Sequence, residues 1–110
     1  MARANIIDVS EESFELEVLQ YSSQVPVVSD FWAPGCVSCN IQSPKLENLA
    51  LEADGAFRLA RVNVDEQMKL AEKLKVTNLP AIKAFVDGRL VAEYTGALSE
   101  TSLRLFLDRI

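Results

Sequence analysis

Histidine is absent from this chain, and cysteine occurs only twice. Closed structural zinc sites take four ligands, drawn mostly from Cys and His. A single copy of this sequence therefore cannot assemble a common one. No apolar run approaches the roughly 20 residues that a membrane-spanning helix needs. Near the N-terminus, Arg3 is followed by only a few apolar residues before Asp8, too few for the hydrophobic region of a secretory signal. Internal repeats, linkers and low-complexity segments are lacking as well. Positive charge is in deficit: 11 Lys and Arg against 16 Asp and Glu give a net charge of −5, with the two signs interleaved. An acidic surface argues against nucleic acid and anionic membranes as partners. The expected location is the cytoplasm, where a cysteine pair is more often redox-active or metal-binding than a lasting structural disulfide.

What is present points to one domain over residues 1–110. With 49% apolar and 25% charged residues, the composition is that of an ordinary globular fold. That is enough to build a core without disulfide staples. Both cysteines lie in one stretch, Asp30-Phe31-Trp32-Ala33-Pro34-Gly35-Cys36-Val37-Ser38-Cys39. The apolar run 25–31 before them reads as a buried strand, and residues 40–51 after them as a helix. A cysteine at that junction meets the unpaired N–H groups and the positive dipole end of the helix. Both stabilise the thiolate, the reactive form. Cys-x-x-Cys beside a βαβ pattern is the redox arrangement of a cysteine pair. An inert disulfide, a metal half-site and a cluster shared between two chains are the other readings the pair allows.

In chain order, Ile6, Ile7 and Val9 predict a short strand. Ser10 is placed to cap a helix on which Phe14, Val18 and Tyr21 recur at helical spacing. After the cysteines, Ile41, Leu46, Leu49 and Ala50 form the apolar stripe of a helix that Pro44 is expected to kink and Asp54-Gly55 to stop. Residues 57–64 predict a strand with Phe57, Leu59, Arg61 and Asn63 on one face and Arg58, Ala60, Val62 and Val64 on the other. Asp65 is expected to cap a short helix with Met68, Leu70, Ala71 and Leu74 inward. Residues 81–86 and 89–94 predict two strands joined by an Asp87-Gly88 hairpin turn. Ser99 is expected to cap a last helix carrying Leu103, Phe106, Leu107 and Ile110. The order β-α-β-α-β-α-β-β-α predicts an α/β fold, with a mixed central sheet of about five strands and four helices on both faces.

These residues resemble the thioredoxin family over nearly the whole chain. The resemblance is carried by Asp30-Phe31-Trp32-Ala33 before the cysteine pair, Leu79-Pro80, Phe85-Val86-Asp87-Gly88 at the hairpin, and Thr95-Gly96-Ala97-Leu98-Ser99 before the last helix. It implies a thioredoxin fold with Pro80 as a cis-proline facing the cysteines. It also implies protein thiol-disulfide exchange, with Cys36 as nucleophile and Cys39 as the resolving thiol. Asp30 becomes a buried proton acceptor whose pKa burial raises. Arg61 stands where family members often place a lysine partnered with that aspartate. Trp32, Gly35, Val37, Ser38, Leu79, Gly96 and Ala97 would contact substrate. The expected partners are disulfide-containing proteins, with a reductase or glutathione as electron donor. No bound cofactor or metal, no nucleic acid, no membrane and a monomer are expected.

The motif departs from the family pattern at its centre. Gly35 replaces a common tryptophan, Val37-Ser38 replace Gly-Pro, and Asn40 replaces a common lysine. Ser38 restores a backbone N–H and adds a hydroxyl near Cys36, which proline cannot supply. Both favour the dithiol form, so a potential less reducing than that of ordinary thioredoxin is expected. The same changes keep two alternatives in view: a thioredoxin-fold binding or assembly module with weak turnover, and a dimer bridged by a metal or cluster.

Overall fold

A computed structural model describes residues 5–110 of the protein. Arg3, weighed in the reading of the N-terminus, lies outside them. The strands are β1 (Ile6–Asp8), β2 (Val27–Trp32), β3 (Arg58–Asn63), β4 (Ala81–Val86) and β5 (Arg89–Thr95). The helices are α1 (Val37–Ala53), α2 (Met68–Lys73) and α3 (Glu100–Asp108). Between β1 and β2 the chain forms a π-helical segment, Glu15–Gln20, that tightens into a 3₁₀ turn, Tyr21–Ser23.

The strands form one sheet in the order β1-β3-β2-β4-β5. β1 and β2 run parallel to β3, while β4 is antiparallel to both β2 and β5. This is the mixed sheet expected from crossover helices followed by a hairpin. The hairpin follows from its turn residues: Asp87 and Gly88 both have positive φ (52° and 77°), the conformation a two-residue turn needs to match strand twist. Ser22 fastens that turn to the 3₁₀ segment, since its Oγ accepts the Gly88 N–H and its carbonyl accepts the Asp87 N–H.

Alternation along the strands divides the core between the two faces of the sheet. Val28, Leu59, Ile82 and Ala84 pack against Leu46, Leu49 and Ala50 of α1 and Leu103 of α3. Val27, Phe31, Ala60, Val62, Ala81 and Phe85 pack against Phe14, just before the π-helical segment, Val18 within it and Leu70 of α2. A leucine such as Leu46, fully buried, contributes about 2 kcal/mol by leaving water. The split of residues 57–64 between faces is the one their alternation predicts. Ser99 caps α3 as expected, its Oγ accepting the Ser102 N–H at 3.1 Å.

Several local expectations are corrected. The first helix is π and 3₁₀ rather than α; Phe14 and Val18 are still buried, because either winding turns both inward. α1 begins at Val37, earlier than its apolar stripe suggests. Its inner face carries Cys39, Gln42, Ser43, Leu46, Leu49 and Ala50, whereas Ile41 is 59% exposed. Gln67, not Asp65, is the N-cap residue of α2. Met68, in the first turn of that short helix, faces solvent while Leu70 and Ala71 face the core.

Candidate active site

The site lies where β2 ends and α1 begins. The Cys36 N–H donates to the Ala33 carbonyl at 3.1 Å, a turn that lifts the chain off the sheet. Cys36 then takes the N-cap position of α1 with extended backbone (φ −90°, ψ 105°), and its sulfur accepts the Cys39 N–H at 3.1 Å. A sulfur stands here where Ser or Asp usually caps a helix, and that geometry favours negative charge on it. The Ser38 hydroxyl lies 3.7 Å from the same sulfur. Exposed Asn40 donates through Nδ2 to the Pro34 carbonyl at 3.2 Å and braces the loop from outside.

Cys36 and Cys39 are joined by a disulfide, with Cα atoms 5.2 Å apart. The two sulfurs differ in access: Cys36 is partly exposed and Cys39 is 1% exposed. Reagents from outside therefore meet Cys36 first. Among the described residues, no group of three or more His, Cys, Asp or Glu side chains is arranged to hold a metal ion.

Asp30 is on the β2 face that α1 covers and is 1% exposed. Its Oδ2 accepts the Ser43 hydroxyl at 2.8 Å and lies 3.8 Å from Arg61 Nε. Parallel register sets Asp30 directly beside Arg61 on β3. Burial pushes the Asp30 carboxyl up to about 6, against the pull of the Ser43 hydrogen bond and the Arg61 charge, and Glu47 adds to the rise. Arg61 is shared three ways: besides Asp30 it lies 3.7 Å from Glu47 through Nη1, and its guanidinium sits 4.5 Å over the Trp32 ring. An aromatic face and two carboxylates suit a planar, delocalised cation better than a lysine ammonium.

The Leu79–Pro80 peptide bond is cis. Phe31 pairs with Ala81, so Pro80 borders the end of β2 from which the cysteine loop departs. The Pro80 carbonyl accepts the Gly96 N–H at 2.8 Å, and Gly96 holds φ +112°, a backbone state that favours glycine. These contacts set Leu79, Pro80, Gly96 and the exposed Ala97 along one rim. Trp32 ends β2, and Gly35, Val37 and Ser38 belong to the loop and helix start that follow at the same end of the sheet; Val37 is 74% exposed.

Three residues of the site carried no signal in the sequence: Gln42, Ser43 and Glu47. Gln42 is 2% exposed and its Oε1 accepts the Leu98 N–H at 2.6 Å, which ties α1 to the segment after Ala97. Replacing Gln42 with Ala strands that N–H. The expected result is a loss of about 1 kcal/mol, read as a lower urea midpoint at unchanged slope.

Comparison with known proteins gives one answer. The family model described as Thioredoxin matches residues 5–109. Thioredoxin C-2 of Corynebacterium nephridii is 35% identical over 106 residues, covering 96% of each chain. The thioredoxin of Pseudomonas aeruginosa is 35% identical over 104 residues, and that of Acidithiobacillus ferridurans 39% over 103, each with 94% of both chains covered.

Proposed function

Since this chain belongs to the thioredoxin family, we propose that Cys36 attacks disulfides of partner proteins and Cys39 resolves the resulting mixed disulfide. Thiol-disulfide oxidoreduction is the activity of the family, and disulfide-containing proteins and a reductase are the partners it implies. The carrying observation is the Cys36 sulfur at the N-cap of α1, accepting the Cys39 N–H at 3.1 Å while Cys39 itself is buried. A thiolate there is stabilised and accessible, and its mate is near enough to close the bond. The binding-module and metal-bridged alternatives are not favoured beside a bonded cysteine pair in a chain whose relatives are thioredoxins.

In this reading Asp30 accepts the proton that Cys39 gives up, and Arg61 steadies the aspartate. A carboxyl raised to about 6 suits that task, because a base works best near the operating pH. Trp32, Gly35, Val37, Ser38, Leu79, Pro80, Gly96 and Ala97 form the substrate rim, where an extended segment adds as a strand beside Leu79. Residues 1–110 act as one domain and as a monomer in the cytoplasm. They act on proteins rather than nucleic acid or membranes, with no redox centre beyond the cysteine pair. Electrons come from a reductase or from glutathione. No helix among the described residues is long and apolar enough to cross a membrane.

The potential is higher than that of ordinary thioredoxin. The Ser38 hydroxyl, 3.7 Å from Cys36 Sγ, can donate to the thiolate and so stabilises the dithiol form. One hydrogen bond to a charged group contributes about 1.5 kcal/mol, equivalent to about 30 mV for two electrons. Equilibration with a glutathione buffer is expected to give a value above about −270 mV. Ser38→Pro should lower it by about 30 mV. A wild-type potential at or below the thioredoxin value, or a Ser38→Pro variant with no change, contradicts this reading. The exchange activity itself is tested by insulin reduction with dithiothreitol as donor.

A further inference from the structure

The two carboxyl oxygens of Asp30 are in unlike settings. Oδ2 accepts the Ser43 hydroxyl at 2.8 Å and lies 3.8 Å from Arg61 Nε. Oδ1 is buried and has no hydrogen-bond partner in the protein. Ser43 is itself 5% exposed. It lies four residues beyond Cys39, so the two side chains leave α1 one above the other on its inner face.

We propose that Ser43 is a positioning residue for the resolving half of the exchange: its hydroxyl pins Asp30 Oδ2 and leaves Oδ1 as the oxygen that receives the Cys39 proton. The proposal rests on the reading of Asp30 as proton acceptor. In that step the Cys39 S–H bond breaks and the proton passes to Oδ1. The Cys39 thiolate attacks the Cys36 sulfur of the mixed disulfide. The Cys36–Cys39 bond forms, and the bond from Cys36 to the substrate sulfur breaks. The substrate sulfur leaves as a thiolate with the electron pair, and Asp30 then releases its proton to that thiolate or to solvent.

Ser43 acts in two ways. A carboxyl that is free to rotate offers either oxygen in any direction, whereas one held through Oδ2 offers Oδ1 in a single direction. A donated hydrogen bond also favours the charged carboxylate and opposes the cost of burying it. The other charged groups facing Asp30 are Arg61 from β3 and Glu47 from α1. β4 contributes Ile82, the register partner of Asp30, which does not titrate. The π-helical segment and α2 pack on the opposite face of the sheet. Burial and Glu47 oppose ionisation of Asp30, and of the two groups that favour it the Ser43 hydroxyl acts more strongly than Arg61.

The test uses the full chain. Reduced protein is mixed with 5,5′-dithiobis(2-nitrobenzoate) in stopped flow. Release of the first thionitrobenzoate reports attack by Cys36, and release of the second reports resolution by Cys39. The rate of the second phase is followed against pH in wild type, Ser43→Ala, Ser43→Thr and Asp30→Asn. Titration of the Asp30 carboxyl carbon by NMR in the disulfide form gives a second readout. Loss of the Ser43 hydrogen bond is expected to raise both midpoints by about one pH unit. At pH 6 that slows resolution about fivefold. Ser43→Thr, which keeps the hydroxyl, should restore both. If Asp30→Asn flattens the pH profile while Ser43→Ala leaves both midpoints in place, the role of Ser43 is wrong and that of Asp30 stands. If Asp30→Asn leaves the profile intact, both fail.

Discussion

Cys39→Ser is expected to form covalent complexes with its substrates and to release them very slowly. The N–H that supports the Cys36 sulfur is backbone, so the substitution leaves it in place at the N-cap of α1. Cys36 therefore stays nucleophilic and still attacks. What is lost is the second thiol, 1% exposed, whose attack on Cys36 frees the product. Non-reducing gels and mass spectrometry should show Cys36 joined to a substrate cysteine. Cys36→Ser is expected to behave differently. Its remaining thiol is buried, so insulin reduction falls by several orders of magnitude, as when an enzyme loses its nucleophile, and few adducts form. Adducts that accumulate on Cys36→Ser instead of Cys39→Ser would reverse the two roles.

The second large effect is on stability. At neutral pH Asp30 is ionised in a place that disfavours charge. Its folded-state pKa of about 6 lies above the ordinary carboxylate value of 3.8. Between those two values the folded protein binds more protons than the unfolded chain, so stability falls as pH rises through that window. Below about pH 4 both states are protonated and nothing is lost. Above pH 6 the loss is complete and constant. A shift of about two units, at about 1.4 kcal/mol per unit, is about 3 kcal/mol. Asp30→Asn is therefore expected to be about 3 kcal/mol more stable than wild type at pH 7, and no more stable at pH 4. Urea unfolding of the disulfide form at the two pH values measures this. An equal gain at both, or none at pH 7, would mean that the carboxyl is not held in an unfavourable charged state.

Asp30 is legible from the sequence around it, whereas most of the groups that touch it are not. The strands and the hairpin follow from local signals. Residues 81–86 are an unbroken apolar run apart from Lys83, and Asp87-Gly88 can adopt the two positive φ angles that few other pairs tolerate. The ends of α1 and α2 are less legible. Val37-Ser38 has no periodic apolar signal, and an apolar residue such as Met68 in the first turn need not face inward. The inner face of α1 misleads more. Ile41 is apolar and points out, while Gln42 and Ser43 are polar and point in. Polar side chains are buried when they find partners. Theirs are Leu98, 56 residues away in sequence, and Asp30, 13 residues away. No window along the chain contains both members of the Gln42 pair. The π-helical winding is invisible for a different reason: Phe14 and Val18 fall on one side of either helix. The family resemblance singled out Cys36, Cys39, Asp30, Arg61 and Pro80 as a group. It did not include Ser43 and Glu47, which also act on the Asp30 carboxyl and belong to this chain's own packing.

The two inward polar residues of α1 make that helix a poor interchangeable part. Moving the tetrapeptide Cys36-Val37-Ser38-Cys39 alone onto a relative's backbone would carry the sulfurs and the Ser38 hydroxyl but leave behind the grip on the buried acid. Grafting the whole helix onto a host without a matching aspartate and a matching backbone N–H would bring two amphiphilic side chains into an oily layer with nothing to hold. The unit that can be exchanged between relatives is larger than the motif: the end of β2, all of α1 and the turn after Ala97, taken together.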